Sequence, residues 1–209
     1  ELGAGRKGHH RRKHLEPYRP LARAHSGRAT TLWTRGFRWL PFVAWHFWRA
    51  RVHVRALISA NLYALSPDQL DVAGTILKRR PFPDIQMAME CFYAGIEAAA
   101  SIAKNAKKKV PPHTLALLYV GLGECQETSD RAADLARGGV CDNAAAFIPR
   151  IEAEEPDIHG KRQLVRVLKR CGAYFKRAGD PRGDEFLARA KALAEEVSSD
   201  QVAKIQAGI

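Results

Sequence analysis

Residues 32–65, LWTRGFRWLPFVAWHFWRARVHVRALISANLYAL, constrain the chain more than any other stretch. All four tryptophans (Trp33, Trp39, Trp45 and Trp48) fall within it, interleaved with Arg35, Arg38, Arg49, Arg51 and Arg55. Proline suits the first helical turn, where its missing N–H has no intrahelical acceptor, so Pro41 marks a helix start. The helical pattern continues to about residue 65. At about 100° per residue, Phe47, Val54, Ile58 and Leu65 form one apolar stripe. Trp45, Val52, Ala56, Ser59 and Tyr63 form a second on a different side. Two polar ridges separate the stripes, His46, Arg49 and His53 on one and Arg51 and Arg55 on the other. A surface helix ordinarily has a single apolar face. Two of them predict a helix wedged between partners, with its tryptophans and arginines as the docking residues.

A membrane span is not expected from this stretch. Its longest apolar run, residues 39–48, is ten residues and includes His46, whereas a span takes about 20. An in-plane amphipathic helix would gather its cations on one face, and here they lie on two opposed ridges. Membrane-surface contact remains open, because long arginine side chains can snorkel.

Charge is concentrated ahead of and within the same stretch. The chain carries 34 Lys+Arg and 22 Asp+Glu; residues 1–55 hold 13 of the bases and two of the acids, Glu1 and Glu16, leaving 21 and 20 for the rest. The first 55 residues are therefore +11 and the remainder +1. Such asymmetry marks an arm for a polyanion or a targeting segment. Residues 1–31 contain Gly3, Gly5, Gly8, Pro17, Pro20 and Gly27, which discourage long helices. Closely spaced Lys and Arg displace counterions from nucleic acid. Arg6, Lys7, Arg11, Arg12, Lys13, Arg19, Arg23 and Arg28 are therefore the expected RNA or phosphate contacts. His10 and His14 share a helical spacing but lack Cys or carboxylate companions, so no metal site is expected there. The chain does not begin with Met, and residues 1–38 are Arg-rich and acid-poor, as organellar transit peptides are. A mature arm held inside an assembly is the expectation; a targeting remnant is the alternative.

Cys91, Cys125, Cys141 and Cys171 are spaced by 34, 16 and 30 residues, with no C-x-x-C pair to suggest zinc or a redox motif. Each falls in or beside a helical pattern, where free cysteine behaves as a small apolar residue. Reduced cysteines fit a cytosolic, matrix or stromal compartment.

Downstream of residue 65 the pattern is helical throughout. Ser66-Pro67-Asp68-Gln69 is a capping box with proline in the first turn, opening a helix with Leu70, Val72, Ile76 and Leu77 inward that ends at Arg80. Asp84 caps a helix expected over residues 85–108, with Met87, Cys91, Ile96 and Ile102 inward and Ala98, Ala99 and Ala100 permitting close approach. Lys107-Lys108-Lys109 at its end favours the helix dipole. Further helices are expected over residues 114–125, 128–136, 142–153 (kinked at Pro149), 160–178 and 186–197, with Ser199-Asp200 capping a terminal turn. Gly121 and Gly123 sit inside a helical pattern with no preceding strand, so they predict close helix packing and not a phosphate loop. The acids Glu152, Glu154, Glu155 and Asp157 around Pro156 read as a solvated loop. No run has the period of two that marks a strand. The fold class is therefore all-α, an antiparallel helix-hairpin array or bundle with an extended basic N-terminal arm. Its expected divisions are a basic arm over residues 1–31, a Trp/Arg docking helix over 32–65 and a helical body over 66–209.

The segment from Cys171 through Tyr174, Ala178, Gly179 and Asp180, followed by Ala190-Lys191-Ala192-Leu193, resembles a tetratricopeptide repeat. It has about one extra residue in the turn, and Asp184 stands where that family has a small residue. Glu90-Cys91 with Ala98-Ala99 echoes Glu124-Cys125 with Ala132-Ala133 at a spacing of 34, and residues 112–139 resemble a pentatricopeptide unit. About 70 residues carry these likenesses, and a plain helix-hairpin bundle meets the same description. The resemblance implies a scaffold for macromolecules.

The chain shows no paired-carboxylate constellation, H-E-x-x-H, nucleophile elbow or strand-linked glycine loop, so catalysis is not expected, nor is a cofactor or a small-molecule substrate. The expectation is a structural subunit of a large multi-subunit assembly, a lineage-specific mitochondrial ribosomal protein on the matrix side. Its arm would bind ribosomal RNA, and its helical body would bind neighbouring proteins. The alternative is an accessory subunit of a mitochondrial respiratory complex or ATP synthase, touching membrane subunits or the membrane surface.

Overall fold

A computed structural model describes residues 24–25, 40–79, 83–104, 109–126 and 139–206. The eight expected phosphate contacts of the arm, together with Trp33, Arg35, Arg38, Trp39, Lys107, Lys108 and the helix expected over residues 128–136, lie outside the described residues. Among those that are described, every regular element is helical and none is a strand. The chain divides into two compact units, residues 1–95 and 96–209.

The first unit is built on α1 (Leu40–Asn61), which passes into a 3-10 turn (Leu62–Ala64), and on α2 (Pro67–Leu77) and the first part of α3 (Ile85–Ala103). Val43, Phe47, Ala50, Val54 and Leu57 of α1 are buried. They recur at steps of three and four, so they share one side of the helix. Burial of each large member contributes roughly 1.5–3 kcal/mol. Leu70, Ala73, Ile76 and Leu77 of α2 and Ala88, Cys91, Phe92 and Ala94 of α3 complete this core. The box at the start of α2 forms as its sequence predicts. The Ser66 hydroxyl accepts the Gln69 amide at 3.4 Å, and the Gln69 side chain accepts the Ser66 amide at 2.8 Å. The helix stops at Leu77 rather than Arg80, and the Leu77 carbonyl accepts the Asp84 amide at 2.9 Å. Asp84 in turn caps α3 through the Met87 amide at 3.3 Å. Gly74 of α2 faces the Phe92 ring so closely that a Cβ would lie 2.7 Å from Cζ. Met87, which the sequence points inward, is only half-buried, and Ala88 and Phe92 fill the interior instead.

The second unit contains α4 (Pro112–Gln126), α5 (Val140–Ala146), α6 (Ile148–Glu154), α7 (Ile158–Arg177) and α8 (Arg182–Gln206). Its core gathers Leu117 and Val120 of α4, Cys141 and Ala144 of α5, Ile148 and Ile151 of α6, and Leu164, Leu168, Cys171 and Tyr174 of α7. Gly123 fulfils the packing expectation, since a Cβ there would lie 2.6 Å from the Cys141 sulfur. The single kinked helix expected over residues 142–153 is two helices that meet at Phe147. Pro149 lacks the N–H that would continue the ladder, and Phe147 instead donates to the Ala144 carbonyl at 3.2 Å.

Helices α7 and α8 run antiparallel, as Lys161 pairs with Glu196, Gly172 faces Leu187 and Lys176 pairs with Asp184. The link is a Schellman turn. Gly179 has φ +74°, its amide donates to Lys176 O at 3.2 Å, and the Asp180 amide donates to Phe175 O at 2.9 Å. Two boundaries differ from expectation. Helix α8 begins at Arg182, four residues before Phe186, because Asp180 accepts the Arg182 amide at 2.9 Å. It also continues through Ser199 and Asp200, where a cap was expected. The Ser199 hydroxyl donates back to Glu195 O at 2.9 Å, a bond available inside a helix.

Candidate docking face and cleft

The core of the first unit lies on one side of α1, and on the other side Phe42, Trp45, Trp48 and Val52 are 55%, 50%, 54% and 39% exposed. The second stripe read from the sequence is thus an outward apolar face. Large aromatics half open to solvent at consecutive turns are a docking surface in the making. Cations flank the row: the Arg49 guanidinium lies 5.9 Å from the Trp45 ring centroid, and Arg55 is exposed. His25, the last described residue before α1, rests against it. Its Nδ1 lies 2.9 Å from His46 Nδ1, its ring meets Trp45 edge-on at 5.6 Å, and it stacks on His53 at 5.6 Å.

The two polar ridges divide between core and solvent, with Arg55 exposed. His53 and Arg51 are each only 7% exposed. They sit at the two margins of the buried side, one turn from Ala50 and Val54 respectively, so the core takes in both edges of the helix. Burial, followed by the nearby Arg49 charge, pushes the His53 imidazole below its ordinary value. Arg51 is lowered by burial first and by Arg55 second, with Asp84 opposing. Its Nη2 donates to the Arg79 carbonyl at 2.6 Å, while its Nε is buried with no hydrogen-bond partner among the described residues.

Arg55 pairs with Asp84 at 3.0 Å. Between α1 and the start of α3 this pair borders an open cleft of about 510 Å3 lined by Trp48, Arg51, Val52, Arg55, Pro83, Asp84, Ile85 and Gln86. Of the docking residues read from sequence, the structure therefore brings together Trp45 and Arg49 on the outward face, and Trp48, Arg51 and Arg55 around the cleft. Asp84 was legible only as a helix cap. Its pairing with a residue 29 positions earlier has no local signature, and neither does the wall formed by Pro83, Ile85 and Gln86.

A second polar cluster lies in the other unit, where the sequence suggested a solvated loop. Glu155 is half-buried, and its Oε2 lies 2.6 Å from His113 Nδ1, with the His159 ring 6.0 Å from that of His113. The corrected reading is a tether: Glu155 follows α6 directly and holds the first turn of α4, while Asp157 caps α7 through the Gly160 amide at 2.7 Å. Glu152 and Glu154 do face solvent, paired with Arg189 and Arg150. All four cysteines are buried and none is in a disulfide. Among the described residues, no group of three or more His, Cys, Asp or Glu has metal-holding geometry. No family model matches the chain, and neither a curated protein nor a solved structure matches it.

Proposed function

We propose that the chain is a non-catalytic structural subunit of a large organellar assembly, specifically a lineage-specific mitochondrial ribosomal protein on the matrix side. In this reading the basic arm binds ribosomal RNA, the outward face of α1 docks beside it, and the helical body over residues 66–209, in part tetratricopeptide- or pentatricopeptide-like in its sequence pattern, receives neighbouring proteins. The observation that carries the reading is the row Phe42, Trp45, Trp48 and Val52, exposed opposite a formed core and flanked by Arg49 and Arg55. It directly follows the most cationic part of the chain, and aromatic faces with arginine suit unpaired bases.

The same row favours one other reading, an accessory subunit of a mitochondrial respiratory complex or ATP synthase. Tryptophan and arginine also suit the headgroup level of a bilayer. Among the described residues no helix is long and apolar enough to cross a membrane, so contact in that reading would be with headgroups or membrane subunits.

Binding of the full chain to RNA and to anionic vesicles at matched ionic strength tests the choice. Neutralising about six phosphates should weaken RNA binding roughly a thousandfold between 50 and 200 mM salt. Replacing Arg11, Arg12 and Lys13 with alanine should flatten that slope by up to about three units. Vesicle binding without RNA binding would select the membrane-complex reading.

A further inference from the structure

Among the described residues, the lining of the cleft beside Trp48 carries one more positive charge than negative. Two guanidinium groups and one carboxylate line it, and the carboxylate of Asp84 is held by Arg55 at 3.0 Å. Arg51 is left with a carbonyl as its only hydrogen-bond partner, and its Nε is buried and unpaired among the described residues. Arg51 is 7% exposed, and among the described residues the carboxylate that acts on it, Asp84, is shared with Arg55; a buried cation is costly when its countercharge is incomplete. Ile85 and Gln86, the first two residues of α3, also line the cleft. First-turn amides have no intrahelical acceptor and favour negative charge. The Asp84 side chain and carbonyl accept the next two amides, of Met87 and Ala88. The opposite wall is the half-exposed Trp48 indole, a flat apolar surface beside the cations. The volume, about 510 Å3, falls within the roughly 300–1,000 Å3 of small-ligand clefts.

We propose that this cleft takes one nucleotide of an unpaired RNA strand, its phosphate on Arg51 beside Arg55 and the start of α3, its base against Trp48. The inference rests on the RNA reading above and adds where, and in what form, RNA is held. A phosphodiester supplies the negative charge that brings two guanidinium groups and one carboxylate into balance, and guanidinium Nη groups are charge-assisted donors to it. A planar base matches the indole, whereas a neighbouring protein's carboxylate would leave that wall unused. A base in a duplex cannot turn onto the indole, so the cleft distinguishes single from double strands where the arm, reading phosphates alone, does not.

The test uses the full chain and measures anisotropy of a fluorescein-labelled dodecauridylate and of a 12-base-pair RNA duplex at the same salt. Trp48→Leu, an exposed change, should weaken the single strand about tenfold, within what one base–aromatic stack supplies, and the duplex less than twofold. Arg51→Gln should do the same, with circular dichroism confirming a folded chain. 4-Thiouridine in the single strand should cross-link to the peptide containing Trp48. Equal losses on both RNAs, or no loss in Trp48→Leu, would overturn the cleft assignment and leave RNA binding by the arm intact. Failure of the unaltered chain to bind either RNA would remove the RNA reading and the cleft assignment with it. Tighter binding of hexaglutamate than of RNA, lost in Arg51→Gln, would overturn the assignment in favour of a protein carboxylate.

Discussion

Arg170 of α7 grips Glu124 of α4 with two donors, Nη2 to Oε2 at 2.7 Å and Nε to Oε1 at 3.2 Å. Both side chains are less than one-fifth exposed, so screening by water and salt is weak. Removing one partner from such a pair leaves a partly buried charge behind. Glu124→Gln should therefore cost about 2–4 kcal/mol in urea unfolding, with little dependence on salt. A double-mutant cycle with Arg170→Met should return a coupling of about 1–3 kcal/mol. A coupling near zero would show that the pair is incidental to the packing of α7 on α4.

Gly172 and Gly123 both lie where helices meet closely, but what faces them differs. A Cβ at 172 would lie 2.9 Å from Leu187 Cγ, 3.0 Å from the Gly183 carbonyl oxygen and 3.1 Å from the Leu187 amide nitrogen, two of them main chain. At 123 its nearest neighbour is a single side chain, that of Cys141. Overpacking costs about 1–3 kcal/mol, offset by up to about 1 kcal/mol of helix propensity. Gly172→Ala should lower stability, and Leu187→Ala should not restore it. Gly123→Ala should also lower stability, and Cys141→Ala in the same chain should recover most of the loss.

Acid should weaken the first unit through His53. Its folded pKa lies below the ordinary value near 6.5, so on acidification the unfolded chain takes up a proton first. The contribution is complete above about pH 6.5 and is lost as pH falls through the folded value. All four tryptophans belong to residues 1–95, so thermal melts followed by their fluorescence report on this unit. Midpoints should fall between pH 7 and pH 5, and His53→Leu should flatten that fall. An unchanged slope in the variant would assign the effect to other groups.

Burial pushes the Cys171 thiol up to about 12, with Arg170 opposing. Thiolate is the reactive form, so almost none is present at pH 8. Native chain should resist iodoacetamide at this position and react in urea, where mass spectrometry should find four alkylated cysteines. Rapid native labelling of Cys171 would contradict its place in the core.

What the sequence makes legible here is local. The capping box at Ser66, the helix cap at Asp84, the turn at Gly179 and the all-α class each depend on residues within four or five positions of one another. The outward aromatic face of α1 was also readable, since Trp45 and Val52 fall on one side at helical spacing. What could not be read is which polar residues the core swallows. Arg51 and His53 resemble their neighbours Arg49 and His46 in every local respect. What covers the first two comes from elsewhere in the chain: His25 stacks on His53, and the Arg79 carbonyl accepts from Arg51. Glu155 is the same case: its partner His113 lies 42 positions away, and nothing beside Pro156 announces it. Ser199-Asp200 misled in the opposite direction, because residues that favour caps also fit a helix interior when a hydroxyl can bond back to a carbonyl.

The ring of Phe92 occupies the space that a methyl group on residue 74 would need. The two positions are thus one choice made twice. In a diverged copy of this chain, alanine at 74 should be found only with a smaller residue at 92, and an aromatic at 92 only with glycine at 74. Neither partner is charged or exposed, and the constraint between them does not involve the docking residues. A distant relative that has lost every tryptophan would still carry this correlated pair as a mark of descent.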